Sequence, residues 1–245
     1  MDLTSLKRGL PSDYFWNKGK LNLVRILFER VFSKGYFGEE CKLLCVGVGT
    51  GDELVVLNKY GRVFAIDTNV DAINALPDQN CYEKKVGNVC NLAYPNDYFD
   101  AITAFDVLEY VDDDSLAINE INRVLKPGGV FIFTVPALPF LYSAHDRLFN
   151  HVRRYTINRM MLILSGMKCV SKGYWMFFCF PAIAYKKLMN RTGTKLIYTP
   201  LPSFINNVLY SIVNFENFLI SHKFKMPIGT TIFGIYEKLM VNEVE

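Results

Sequence analysis

Residues 43–54, LLCVGVGTGDEL, constrain this chain more than any other stretch. Leu43, Leu44, Cys45 and Val46 form a continuous apolar run, which suits a short strand covered on both faces. Gly47, Gly49 and Gly51 follow at alternate positions. Without a Cβ, each can take a positive φ and let a ligand come close to the backbone. The pattern predicts a buried strand that breaks into a cofactor-cradling turn.

A second apolar run, VFAID over 63–67, ends in Asp67, sixteen residues beyond Gly51. In open α/β sheets an acid at the tip of the second strand accepts hydrogen bonds from ribose hydroxyls. The loop reads G-x-G-x-G and not the dinucleotide spacing G-x-G-x-x-G, and no Gly-Lys-Ser/Thr step marks a phosphate loop. Asp52 and Glu53 come next; acids there complement a helix N-terminus but repel a pyrophosphate. A nucleoside ligand without phosphate is therefore expected, and a nicotinamide-dependent oxidoreductase is disfavoured.

The remaining elements alternate. Residues 18–34 carry Leu21, Val24, Leu27, Phe28 and Val31 at helical spacing, behind Tyr14, Phe15 and Trp16. Helices are expected over 53–60, ended by Gly61, and over 70–76, stopped by Pro77. Residues 100–110 read as a strand, and Asp112 to Asp114 as the cap of a helix through Leu125, ended by Lys126-Pro127-Gly128-Gly129. Residues 130–135 supply the next strand. Thr156 caps a helix to Gly166, and 169–180 and 230–240 read as the last two strands. Such alternation means a parallel sheet with right-handed crossovers.

Four segments, LLCVGVGTGDEL, VFAIDTN, GNVCNLAYPNDYFDAITAFDVLEYVDD and INRVLKPGGVFIFTVPA, resemble in order and spacing the motifs of class I S-adenosylmethionine-dependent methyltransferases. The resemblance covers roughly residues 40–170. It implies a Rossmann-like α/β fold with a seven-stranded, mostly parallel sheet, the last strand antiparallel, and a helical insertion before it. It also implies one domain over 1–245: an N-terminal helical lid (1–42), a cofactor-binding core (43–180), an apolar insertion (181–229) and the last strand (230–245). The implied cofactor is S-adenosylmethionine, leaving as S-adenosylhomocysteine. The residues expected to hold it are Gly47, Val48, Gly49, Thr50, Gly51, Asp67, Thr68, Asn88, Val89, Phe105, Asp106 and Val107. In the family the aromatic entry helix lies over cofactor and acceptor; plain packing on the core is the other reading.

Three positions depart from the family pattern. Cys45 stands where an acid usually precedes the glycines, Asn88 where an acid usually meets the adenine amino group, and Tyr110 where the run after the fourth strand often has histidine. Asn88 could still accept through its carbonyl oxygen. A catalytically silent cofactor-binding or interaction protein of the same fold is thus the alternative to a working enzyme.

The segment ALPFLYSAHDRLFNHVRRYT, 137–156, lies just past a strand's carboxyl end, where side chains reach the mouth of such a site. Methyl transfer needs the acceptor held in line and, where it carries a proton, relieved of it. His145 is the candidate base and Asp146 its orienting partner. Arg153 and Arg154 are candidates for an acceptor carboxylate or phosphate, and Tyr110, Tyr142, His145 and Tyr155 complete the expected acceptor-binding set. Alternatively these side chains stitch the loop to the sheet.

Charge divides along the chain. Residues 43–150 hold 7 basic and 15 acidic side chains, residues 151–245 hold 12 and 4. A basic, apolar tail fits either a solvated face or contact with an anionic acceptor or membrane surface. Within it, Ile205, Val208, Leu209, Ile212, Phe215 and Leu219 share one helical face, expected to thicken the core, form a homodimer or cover an apolar acceptor. The expected partner is a small-molecule acceptor, anionic or lipid-linked. No nucleic-acid motif accompanies the basic residues, and the six cysteines show no ligand spacing, so no metal is expected. Reduced thiols, the lack of an apolar signal-like N-terminus and the lack of an 18-residue apolar run suit a cytoplasmic protein, peripheral to a membrane at most.

Overall fold

A computed structural model describes residues 13–32, 40–189 and 201–240. The ends of the expected lid and last strand, at 1–12 and 241–245, lie outside them, as do 33–39 and 190–200.

The strands are β1 (Lys42–Val46), β2 (Arg62–Asp67), β3 (Glu83–Val86), β4 (Phe99–Phe105), β5 (Leu125–Pro136), β6 (Met167–Trp175) and β7 (Thr231–Lys238). They form one sheet in the order β3-β2-β1-β4-β5-β7-β6. β1 pairs in parallel with β2 and β4, β2 with β3, and β4 with β5. β7 runs antiparallel to both β5 and β6. The order reverses between β1 and β4, and beyond the carboxyl ends of strands at such a switch a crevice opens.

The helices are α1 (Phe15–Phe32), α2 (Leu54–Leu57), α3 (Val70–Ala75), α4 (Asp114–Val124), α5 (Ala144–Leu148), α6 (Ile157–Ile163), α7 (Phe180–Met189) and α8 (Ser203–Ser221). They cover both faces. On one, Leu23, Val24, Leu27 and Phe28 of α1 pack with Leu43, Cys45, Ala101 and Ile132. On the other, Ala117, Ile118 and Ile121 of α4 pack with Leu44, Ile102 and Phe131. Adjacent residues of β1 and β4 thus face opposite cores, which is why these strands read as unbroken apolar runs.

Several boundaries differ from the sequence reading. α2 is a single turn, after which Lys59 and Tyr60 donate to carbonyls three residues back and so tighten the chain before Gly61. β4 stops at Phe105, and Leu108–Tyr110 form a 3-10 turn instead of extending the strand. The Lys-Pro-Gly-Gly step lies inside β5, which starts at Leu125. β6 begins two residues before the expected 169 and ends at Trp175, and residues 180 onward are already helix α7. β3, EKKV, has no apolar pattern because it is an edge strand with half-buried or exposed side chains.

The insertion differs most. Of the six apolar residues read onto one face of α8, Ile205, Val208 and Phe215 are exposed and Leu209, Ile212 and Leu219 half-buried, so that face does not simply thicken the core. The buried face instead presents Asn206, Val213, Glu216, Asn217 and Ile220. These polar groups cap backbone that the fold would otherwise leave unpaired. Asn217 accepts from Trp175 Nε1 at 3.0 Å and donates to Gly19 O at 2.9 Å. Glu216 accepts from the N–H groups of Phe177 and Phe178 at 3.0 and 3.3 Å, and Asn206 accepts from Phe15 N at 2.8 Å. Hydrogen bonding, together with burial of Val213 and Ile220, fixes which side of α8 faces in.

Candidate active site

The turn after β1 folds back on β2. Gly47 and Val48 donate to Ile66 O at 2.8 and 3.1 Å, and Gly51 donates to Val48 O at 2.8 Å. All three glycines have positive φ, between 52° and 78°. A side chain at Gly47 would collide with Val107, and one at Gly51 would meet Leu76 Cδ2 at 2.6 Å. At Gly49 an added Cβ would meet nothing nearer than Gly47 O at 4.0 Å. Two glycines therefore permit packing, and the third leaves the floor of a cavity bare.

That cavity, of about 510 Å³, lies at the β1/β4 switch point. Eight of the residues expected to hold the cofactor line it: Gly47, Gly49, Asp67, Thr68, Asn88, Val89, Asp106 and Val107. Val48 and Phe105 are buried in the apolar core behind it, Gly51 packs on Leu76 and Leu54, and Thr50 donates to Asp52 at 2.8 Å. Tyr110, Asp112 and Asp113 close the far wall.

Asp67 is fixed by two backbone donors, Gly49 N at 2.9 Å and Asn69 N at 2.8 Å, one to each carboxylate oxygen. Each oxygen keeps a lone pair for a ribose hydroxyl. Asn88 Oδ1 already accepts from Cys90 N at 2.9 Å, so an adenine amino group would share that oxygen. The cavity's size, its bare glycine floor and a preset acceptor pair fit a nucleoside-bearing ligand.

Cys45 is buried, and burial pushes its thiol up to about 12, so it stays neutral. The negative charge comes from the next strand. Asp106, at the end of β4, has a left-handed backbone (φ 56°) that turns its carboxylate to the cavity. It accepts from Thr134 Oγ1 at 3.0 Å and pairs with Lys20 Nζ at 2.9 Å. Lys20 also reaches Glu53 at 2.9 Å. Burial alone would lower the Lys20 pKa; the Asp106 and Glu53 carboxylates outweigh it and hold the ammonium charged. Helix α1 is thereby tied to the loop after β1 by charge as well as by its apolar face. Next to this triad, burial and then the Asp106 charge push the Glu109 carboxyl well above its ordinary range, and its Oε2 has no hydrogen-bond partner.

The segment after β5 converges on Asp146, whose side chain is fully buried. Ser143 and Asp146 close a capping box at the start of α5, with Ser143 N and Oγ both donating to Asp146 Oδ2 at 2.9 Å. Arg154 Nε donates to Oδ1 at 2.8 Å, and Lys187 of α7 lies 3.2 Å from Oδ2. His151 Nδ1 is 3.2 Å from Oδ1, and its Nε2 is 3.2 Å from the hydroxyl of Tyr110. Burial would raise the Asp146 pKa; the bonds from His151 and Arg154 and the charges of Arg154 and Lys187 reverse this and hold it well below the carboxylate range.

The partner of Asp146 is thus His151, six residues on from His145. His145 stacks on Phe149 with ring centroids 4.6 Å apart, and its Nδ1 is buried without a partner. Burial and the nearby Lys187 charge push it down to about 3, so it is neutral. Sequence adjacency suggested the His145–Asp146 pair, but neighbours on one helix turn point apart, while His151 returns through the turn in which its N–H bonds Asp146 O at 2.8 Å. Both candidate anion-binding arginines are engaged internally. Arg154 holds Asp146 and Ala137 O, and Arg153 holds Asp114 and Asp112 O. Tyr142 donates to His151 O at 2.6 Å, and Tyr155, fully buried, donates to Leu108 O at 2.8 Å. Of the expected acceptor-side residues, Tyr110 is the one that lines the cavity.

Sheet order, glycine loop and strand-tip acid together are those of the class I S-adenosylmethionine-dependent methyltransferase fold, and part of the chain matches a methyltransferase model. Residues 44–133 match the family model described as a methyltransferase domain. The ubiquinone/menaquinone biosynthesis C-methyltransferase UbiE of Vibrio parahaemolyticus is 34% identical over 125 residues, 45% of this chain and 48% of that protein. The demethylmenaquinone methyltransferase of Mycolicibacterium paratuberculosis is 30% identical over 140 residues, 56% of each chain. The chain thus spans about half the length of the curated relatives it matches. Among solved structures, a SAM-dependent methyltransferase from Archaeoglobus fulgidus aligns with a TM-score of 0.56 at 14% identity, over 89% of this chain and 94% of that one. The [4+2]-cyclase SpnF aligns at 0.61 with 20% identity, over 92% and 84%. These two likenesses concern the fold. S-Adenosylmethionine is the cofactor of the family, and the cavity residues fit it. Among the described residues, no helix is long and apolar enough to cross a membrane.

Proposed function

We propose that this protein methylates a small, protonated, ring-bearing acceptor of the hydroquinone kind, using Tyr110, His151 and Asp146 as a proton relay. The observation that carries this reading is the unbroken contact from the cavity wall inward: Tyr110 hydroxyl to His151 Nε2, and His151 Nδ1 to the buried Asp146, each at 3.2 Å. The acceptor class rests on the names of the relatives, which act on menaquinone and ubiquinone precursors.

The cofactor, when bound, supplies an electrophilic methyl group on a sulfonium. Asp67 would hold its ribose hydroxyls, the glycine turn would receive its amino-acid end, and Asp106 would offer the carboxylate that position 45 lacks. Burial and the Glu109 and Asp106 charges push the Tyr110 phenol above its ordinary range, so it stays protonated until a proton is exchanged. With Nδ1–H donated to Asp146, Nε2 presents its lone pair to Tyr110. The acceptor hydroxyl gives its proton to the Tyr110 oxygen while Tyr110 passes its own to His151, and Asp146 stabilises the imidazolium. The deprotonated, electron-rich ring would then be ready to take the methyl group that the cofactor supplies, and a proton displaced from a ring carbon would go to solvent.

Incubation of the chain with methyl-labelled S-adenosylmethionine and a naphthohydroquinone is expected to yield labelled methylated product and S-adenosylhomocysteine. Binding of the cofactor without label in that product, or in any acceptor from a cell extract, would favour the catalytically silent protein instead.

A further inference from the structure

Helix α8 leaves large apolar side chains outside while burying polar ones. Its polar residues Asn206, Glu216 and Asn217 face the protein and are hydrogen-bonded there. Its outer face shows Phe204, Val208, Phe215 and Phe218, with Phe204 77% and Phe218 56% exposed. Helix α7 extends the same surface. Phe178, just before it, meets Phe215 with centroids 6.0 Å apart, and Tyr185 is 69% exposed. The inner face mixes these polar groups with buried Val213 and Ile220, while four large apolar side chains stand out among the exposed Asn207, Ser211 and Asn214, an apolar display expected where the surroundings are less polar than water.

Along the segment that carries this face the exposed charges have one sign, and the exposed acid beside the first turn of α8 is Asp13, whose backbone oxygen accepts from Asn206 at 3.0 Å. Lys186 on α7 and Lys223 and Lys225 just after α8 are exposed. Among the described residues from 176 to 230, the only acid is Glu216, which is buried. A second copy of the chain docked face to face would set these lysines against their own counterparts. An anionic surface would not.

We infer that the aromatic outer face of α8 and its lysine fringe dock this protein onto the headgroup and acyl boundary of an anionic lipid membrane. The phenylalanines enter the boundary and the lysines meet lipid phosphates. Helix α7 connects this face to the relay: its outer residues flank the docking surface while Lys187 reaches inward to Asp146. If the methyltransferase reading holds, an acceptor dissolved in the bilayer would enter beside α7. Docking itself requires neither cofactor nor turnover.

The test is cosedimentation of the full chain with vesicles of phosphatidylcholine containing phosphatidylglycerol, and of phosphatidylcholine alone. Binding to the anionic vesicles is expected, weakening as salt is raised. Replacing both Phe215 and Phe218 by serine is expected to lower the partition coefficient about tenfold per residue. The charge reversals Lys223→Glu and Lys225→Glu should lower it about fivefold each. All four positions are exposed, so melting temperature and S-adenosylmethionine affinity should be unchanged. Absence of binding to anionic vesicles at low salt, or equal binding by the variants, would overturn the inference. So would a parent chain that elutes as a dimer which the phenylalanine replacements dissolve. Each of these results leaves cofactor affinity, and with it the proposed chemistry, separately measurable.

Discussion

A His151→Asn chain is expected to bind S-adenosylmethionine as tightly as its parent and to methylate a hydroquinone about 10²–10⁴-fold more slowly. Asparagine can keep hydrogen bonds toward Asp146 and Tyr110 but cannot take up a proton. Because the loss falls on proton transfer, kcat should drop with little change in KM. Tyr110→Phe should show the same pattern, since it removes the hydroxyl that joins the cavity to the imidazole. Measurement of kcat and KM for both variants, with cofactor affinity taken by calorimetry, separates this from a folding defect. Full turnover in His151→Asn would mean that the acceptor loses its proton by another route.

The second large effect concerns stability. Asp146→Ala leaves Arg154 and Lys187 facing one another in a buried site with no carboxylate between them, and is expected to cost about 3–5 kcal/mol of unfolding free energy. Denaturant melts of parent and variant would measure it. The same cluster sets the acid response. The folded-state pKa of Asp146 is depressed, so its stabilisation is present above the unfolded carboxylate value and is lost as pH falls below it. His145 is lowered from 6.5 to about 3, so between those values the unfolded chain binds a proton that the folded chain refuses. Stability should therefore decline as pH falls from 6.5 toward 3, with the Asp146 loss added at the lower end. A melting temperature that is flat over that range would contradict both assignments.

The cofactor half of the site was legible in the sequence because local backbone geometry makes it. A turn requiring positive φ needs glycine, and an acid at the neighbouring strand tip lies beside that turn, where Asp67 accepts from Gly49 N. The acceptor half depends on where a loop returns. Position along the chain gave no reason to prefer His151 to His145, because the choice follows from the capping box that fixes Asp146 and from the turn that brings His151 back onto it. Lys20 was likewise hidden. It occupies a polar position on an amphipathic helix, and only the packing of α1 beside β1 and β4 carries it to Asp106. In α8 the apolar periodicity was real, but the buried face took two asparagines and a glutamate beside Val213 and Ile220, because backbone groups of the neighbouring segments needed partners. A hydrophobic stripe identifies a helix; it does not say which side the protein keeps.

The most direct measurement is a calorimetric titration of the parent chain and of Asp67→Ala with S-adenosylmethionine. One-to-one binding by the parent, weakened about 100-fold in the variant by loss of the ribose hydrogen bonds, is the expected result. No heat of binding from the parent, or an affinity that Asp67→Ala leaves unchanged, would contradict a nucleoside cofactor held over the glycine turn.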